Sequence, residues 1–274
     1  MRIGILSDLH VDLNHSETDI PIEEALARAV EERQVERMII AGDLTNDWET
    51  TLEALDRIER MTSVPCLFVP GNHDVWNINA PGRSAWEAYD KLKEFPRNLA
   101  NGAFRLTDHW VVIGDLGWYD YSFASPDFTF EQLERMQWGE RTWKDSLYAD
   151  WGMSVGQVHN YFVEKLKRQL DEHRGSSIIL VTHVVPHKAF TVPETIGEWR
   201  YFNGFLGSRQ YGELIRDYSD SIRYAVSGHV HYRKEVEENG VRLLNNGLGY
   251  RREWRSGQGA MEEVKRALLT IDLD

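Results

Sequence analysis

The chain has 274 residues, 42% of them apolar and 27% charged, and carries a formal net charge of −13. That acidic balance argues against broad binding to duplex DNA or anionic membranes, which needs a basic face, and no run approaches the roughly 18 apolar residues of a membrane span. One cysteine, Cys66, leaves no intramolecular disulfide and no thiolate metal site; with no signal-peptide pattern in the opening residues, a reducing, cytoplasmic setting is expected.

The opening stretch "MRIGILSDLH" reads as a buried strand that ends in Asp8-x-His10. An amphipathic stretch at 22–34 predicts a helix, followed by "RMII" and then Gly42-Asp43. A second helical stretch, 49–60, leads to "CLFVP" and Gly71-Asn72-His73-Asp74. After "WVVIGDLGW" comes a segment at about 118–153 dense in aromatics, among them Trp118, Tyr119, Tyr121, Trp143 and Trp151. It is expected to be an insertion or cap, whose rings either form their own small core or stack on a base or apolar leaving group. A helical stretch from about 154 precedes "SIILV", which runs into Thr182-His183. The long loop "PHKAFTVPETIGEWRYFNGFLGS" then follows and is expected to wall the same crevice. "YAV" ends in "SGHVH", which contributes His229 and His231. "KEVEENGVRLLNNGLGY" reads as a hairpin turning at Asn239-Gly240, "RREW" as exposed surface, and "RALLTIDL" as a last strand. Strands alternating with helices predict an α/β architecture, read as one domain over 1–274 with the insertion at about 118–153.

Five of these strands end alike, in an Asp, Asn or His able to hold a metal. Taken singly, each end has an ordinary explanation: an Asp caps a helix or forms a turn, and a lone His is a satisfied core residue. Together they point to one crevice, because ligands in α/β sheets bind at the carboxyl ends of strands. Residues i and i+2 at a strand end share a face, so Asp8 with His10, and His229 with His231, enter the same space. Gly42, Gly71 and Gly228 stand where a tight turn or close backbone approach is expected. His15, His109, His159, His173 and His187 fit no such pattern and are read as surface or structural.

The collected set is Asp8, His10, Asp43, Asn72, His183, His229 and His231, with His73 beside it. One catalytic ion takes about three protein ligands, so the set predicts two divalent ions sharing a carboxylate. Oxygen and imidazole donors suit Mn, Fe, Zn or Ni, with Mn favoured. Two ions and two carboxylates leave a positive centre that attracts phosphate despite the acidic surface.

Asp8-x-His10, "GDLTND" from Gly42, "GNHD" from Gly71, His183 and "GHVH" from Gly228 resemble, in order, the motifs of the calcineurin-like metallophosphoesterases. Within that family the resemblance is to small bacterial phosphoesterases rather than eukaryotic protein phosphatases. It implies a four-layer α/β/β/α sandwich, two mixed sheets flanked by helices. It implies one metal on Asp8, His10, Asp43 and His231, and a second on Asp43, Asn72, His183 and His229. His73 would bind phosphate and act as general acid while a metal-bridging hydroxide attacks phosphorus in line. Family members that dephosphorylate proteins continue the second motif to Asp-Arg-Gly, where this chain reads Asn46-Asp47-Trp48. The arginine is missing, and the supporting acid is either replaced by Asn46 or shifted to Asp47.

The expected function is therefore metal-dependent hydrolysis of a small phosphorylated, nucleotide-like substrate, leaning to diesters. The alternatives are a phosphomonoesterase or protein phosphatase, or a non-catalytic metal-binding scaffold of the same fold. Catalytic candidates are His73, Asp47 and Asp74; Asn72, His73 and Arg200 are the candidates for holding substrate.

Overall fold

A computed structural model describes residues 1–15, 17–80, 82–254 and 259–274. Its first sheet holds strands Leu269–Asp272, Arg2–Leu6, Arg37–Ala41 and Cys66–Val69, in that order. The first pair is antiparallel and the other two are parallel. The second sheet runs Arg233–Glu238, Val241–Asn246, Ile222–Ser227, Ser177–Thr182, Trp110–Asp115, Phe104–Arg105, with antiparallel pairs only at its two edges. Both sheets are mixed and flanked by helices, as the resemblance implied.

Side chains alternate across each strand, and that period sorts them into layers. Ile3, Ile5, Ile39, Leu67 and Val69 of the first sheet meet Val112, Ile179, Val226 and Leu244 of the second in one cluster between the sheets. Leu6, Met38, Ile40 and Phe68 face the opposite way, against helices Ile22–Glu32 and Trp48–Thr62. Val111, Ile113, Ile178, Leu180 and Leu243 likewise face helices Val155–Glu172 and Arg209–Asp217. Strands covered on both faces need continuous apolar runs, which is why "RMII", "CLFV" and "SIILV" carry no polar alternation.

Rings of the 118–153 segment pack into the main core. Trp118, Tyr119, Tyr121 and Trp151 are buried in the same cluster as the helices of the first sheet. Only part of it, including Trp143 and Tyr148, reaches the cleft described below. The hairpin turns as expected, with Asn239 (φ 51°) and Gly240 (φ 77°) both left-handed. From it the chain returns to the metal loops, Leu248 N–H donating to the Ser7 carbonyl and Gly249 N–H to that of Asp8. "RREW" departs from its reading as plain surface: Trp254 is buried and Arg252 and Glu253 line the cleft.

Candidate metal centre

The strand ends converge. Ligand atoms of Asp8, His10 and His231 lie within 4.8 Å of one another, as do those of Asp43, His183 and His229. Nε2 of His10 is 3.2 Å from Nε2 of His231 and 3.8 Å from Oδ2 of Asp43. Oδ2 of Asp43 is 3.3 Å from Nε2 of His183, which is 3.0 Å from Oδ1 of Asn72 and 3.2 Å from Nδ1 of His229. Asp43 thus stands between two neighbouring groups of donors, and all seven expected ligands meet in one place.

The loops that carry them are held under strain. Asp8, His10, Asp43 and His229 all have positive φ, between 43° and 70°. Non-glycine residues there cost about 1–3 kcal/mol each and cluster at functional sites. Gly42 (φ 85°) could not be replaced without strain, since a Cβ on it would lie 2.5 Å from Nδ1 of His183. One on Gly71 would lie 2.1 Å from Oδ1 of Asp43. Asp74 ties the two loops together. It is fully buried and accepts from the backbone N–H groups of Asp43, Leu44, Thr45 and Gly71 and from the Thr51 hydroxyl. Its carboxylate is spent on those bonds, so Asp74 is a loop clamp and not the catalytic group expected.

The imidazoles are oriented from behind. His183 Nδ1 donates to the Ala41 carbonyl (2.8 Å), His229 Nε2 to the Phe205 carbonyl (3.1 Å) and His231 Nδ1 to Glu253 (2.7 Å). Each partner only accepts, so each ring turns its lone pair inward, the tautomer a metal requires. Tyr250 packs against both His10 and His231, with centroids 4.5 and 4.6 Å away. Burial, reinforced by neighbouring imidazoles, holds His10 well below its usual pKa and His229 at about 3, so both rings are neutral, the form that could bind a metal. The inward lone pairs of His183 and His229, 3.2 Å apart beside a buried carboxylate and with no thiolate, fit a divalent cation such as Mn, Fe, Zn or Ni.

The donor atom of His73 also lies within 4.8 Å of those of His10 and Asp43, so His73 faces the centre too. Its Nε2 is 3.9 Å from Oδ2 of Asp43, and its ring stacks on Trp76 at 3.6 Å. Nδ1 meets Oδ1 of Asn46 at 2.7 Å, and Nδ2 of Asn46 donates to Asp12 (2.6 Å). Of the two alternatives at the departed motif, Asn46 is therefore the one that supports His73, with Asp12 behind it. Asp47 instead caps helix Trp48–Thr62, accepting from Thr50 N–H, and does not reach His73.

Above the centre opens a cleft of about 840 Å³. Leu13, Ile78, Trp143, Val192 and Trp199 give it apolar walls, and its cations are Arg141, Lys144 and Arg252. The loop after His183 contributes Val192, Trp199 and Leu206, as expected. Arg200 does not line the cleft; its guanidinium pairs with Asp127 on the outside, which corrects its reading as a substrate ligand. His187 caps its own loop and pairs with Glu238, while His159 is buried between the Trp118 carbonyl and Gln210. Sequence reasoning missed Asp12, Glu253 and Tyr250. Their one local signal is polar residues set beside aromatic or ligand positions.

A family model described as calcineurin-like phosphoesterase matches residues 1–233. An uncharacterized protein of Acanthamoeba polyphaga mimivirus is 22% identical over 227 residues, 79% of each chain. Among solved structures, a phosphopantetheinyl hydrolase from Mycobacterium tuberculosis shares the fold with a TM-score of 0.75 and 18% identity, covering 99% of this chain and 96% of that one. A dimetal phosphatase from Danio rerio shares it with a TM-score of 0.53 and 13% identity, over 89% and 86%.

Proposed function

We propose a finer reading from one premise: the chain belongs to the calcineurin-like phosphoesterase family and is a metal-dependent phosphoester hydrolase. The centre would hold two divalent ions, manganese being the working metal. Asp8, His10, Asp43 and His231 would hold one; Asp43, Asn72, His183 and His229 would hold the other. Bound there, the cations supply charge neutralisation at the phosphoryl oxygens and a more acidic water. The single observation that carries this is the position of Asp43 between two donor groups, with His73 facing it from the cleft side.

The chain's own residues do the rest. Nδ1 of His73 donates to Asn46, so it is the protonated ring that carries a second N–H on the cleft side, and that imidazolium protonates the departing oxygen from Nε2. Trp76 holds the ring plane by stacking. The favoured substrate is a small phosphodiester. Where an arginine would grip a dianion, this chain has Asp47, turned to cap helix Trp48–Thr62, and a singly charged diester loses less by that change.

The cleft is larger than a phosphate needs, and its apolar walls suit an extended organic arm. A phosphopantetheinyl ester, after the similar hydrolase, is the first such substrate to test; a nucleoside ester is the second. Cys66 is buried and unpaired, and no helix among the described residues is long and apolar enough to cross a membrane. Those features support a cytoplasmic setting.

The test compares bis-p-nitrophenyl phosphate with p-nitrophenyl phosphate in Mn²⁺ and in EDTA. Higher kcat/KM on the diester, abolished by EDTA, is expected. Preference for the monoester removes the diester assignment, and inertness of the Mn²⁺-loaded protein towards both removes the residue roles.

A further inference from the structure

The Asn72 carboxamide is held at one end by a residue 73 positions away in the chain. Its Nδ2 donates to Oδ1 of Asp145 at 2.8 Å. The same oxygen accepts from Nε1 of Trp76 (2.7 Å), and Oδ2 accepts from Nε1 of Trp143 (2.8 Å). Asp145 is only 2% exposed and begins the short helix Asp145–Tyr148, within the aromatic segment. Burying a carboxylate is costly without compensation, and here three side-chain N–H groups compensate it.

Those three donors all belong to the centre. A carboxylate only accepts, so it takes the nitrogen end of Asn72 and leaves Oδ1 directed at His183, 3.0 Å from its Nε2. Trp76 is the ring on which His73 stacks, with 28° between the planes. Trp143 meets the His229 ring edge-on at 5.7 Å. One buried anion therefore fixes the orientation of Asn72 and the two indoles that confine His73 and His229.

We propose that Asp145 is a positioning residue of the metal centre: it keeps the Asn72 oxygen turned inward and locks Trp76 and Trp143 against His73 and His229. The aromatic segment is thereby part of the centre, through one carboxylate, as well as a wall of the cleft. This rests on Asn72 being a metal ligand.

The experiment titrates Mn²⁺ into metal-free protein by calorimetry, with metal content checked after dialysis. In D145N, an isostere that can no longer accept on both sides, the Kd of one manganese rises 10–100-fold, the usual effect of losing such a partner. The ion on Asp8, His10 and His231 shifts less than about threefold, because Asn72 is not among its ligands. Leu133→Ala, in the buried face of helix Phe130–Glu134 of the same segment, lowers Tm but leaves both Kd values alone.

The reversed pair N72D/D145N restores a donor facing an acceptor between positions 72 and 145 and keeps an oxygen inward, so it recovers the weakened site, although the Trp76 N–H then faces a donor. Should D145N fail to fold, the reversed pair carries the test. Unchanged Kd values in D145N, or a reversed pair no better than D145N, overturn the proposal. Asn72→Ala separates the two readings: if it too binds Mn²⁺ normally the ligand assignment falls, and if it alone is weakened only the role of Asp145 falls.

Discussion

Oδ1 of Asn46 lies 2.7 Å from Nδ1 of His73, and the other end of its amide is held by Asp12. Asp12 accepts, so Asn46 must turn its nitrogen there and its oxygen to His73. The tautomer of the proposed acid follows from this chain. Burial, opposed by Asp43 and reinforced by His231, His183 and Lys144, holds metal-free His73 at about 4; an arriving phosphoryl anion raises it.

Asn46→Ala should lower kcat roughly tenfold, the worth of about one buried hydrogen bond, with metal content unchanged. Asn46→Asp places a carboxylate beside the ring and raises the His73 pKa. The protonated form is the active one, so kcat falls as pH rises through that pKa, and the descending limb should move to higher pH. A pH–rate profile checks both, and an unmoved limb in Asn46→Asp would exclude this control of His73.

His73→Ala and Asp43→Asn should fail in different ways. His73 is assigned as the general acid and each ion has four other donors, so His73→Ala should keep its manganese and lose about 10²–10⁴ in kcat. Asp43 stands between both groups, so Asp43→Asn should lose metal and activity together. Metal analysis beside steady-state rates distinguishes them. Full occupancy in Asp43→Asn would remove its shared position from the scheme.

Much of this was legible in sequence because each expected ligand sits just past the end of a strand, and a strand-end motif is local. The continuous apolar runs similarly announced strands covered on both faces, which is what the two-sheet stack requires. The supporting residues were not legible in the same way. Asn46 and Asp47 differ by one position at a helix start, and only the cap bond of Asp47 to Thr50 shows which of them is left for His73. Glu253 reaches His231 across 22 residues and Asp145 reaches Asn72 across 73. Such pairings are created by folding. Arg200 shows the converse: it lies in the right loop, but its side chain leaves on the outer side to meet Asp127.

Metal affinity should rise with pH, and His183 sets the range. Burial pushes its pKa down, but Asp43, with Asp8 and the Ala41 carbonyl, outweighs that and lifts it to about 9 in the metal-free protein. A cation must displace that proton. Below about pH 9 the apparent affinity of the Asp43–His183–His229 group should climb about tenfold per pH unit and then level. His10 and His229, already neutral at neutral pH, add no further slope there. Calorimetry in buffers of different ionisation enthalpy should show one proton released per ion in this group near pH 7. Binding with no proton release would place the ion elsewhere.

Arg200 and Lys144 give opposite expectations for substrate. Arg200 is turned to Asp127 outside the cleft, so Arg200→Ala should change kcat/KM by less than about twofold, as for surface substitutions away from a site. Lys144 lines the cleft, and its charge is felt at His73. Lys144→Ala removes a cation from the path of an anionic substrate. It should raise KM about three- to tenfold, most at low ionic strength, where an exposed charge is least screened. The same change also relieves the downward pull on His73, so the descending limb of the pH profile should shift slightly upward. Initial rates at 20 and 300 mM salt check the first point and a pH series the second. A larger KM effect from Arg200→Ala than from Lys144→Ala would mean that the loop after His183 turns its arginine inward when substrate binds.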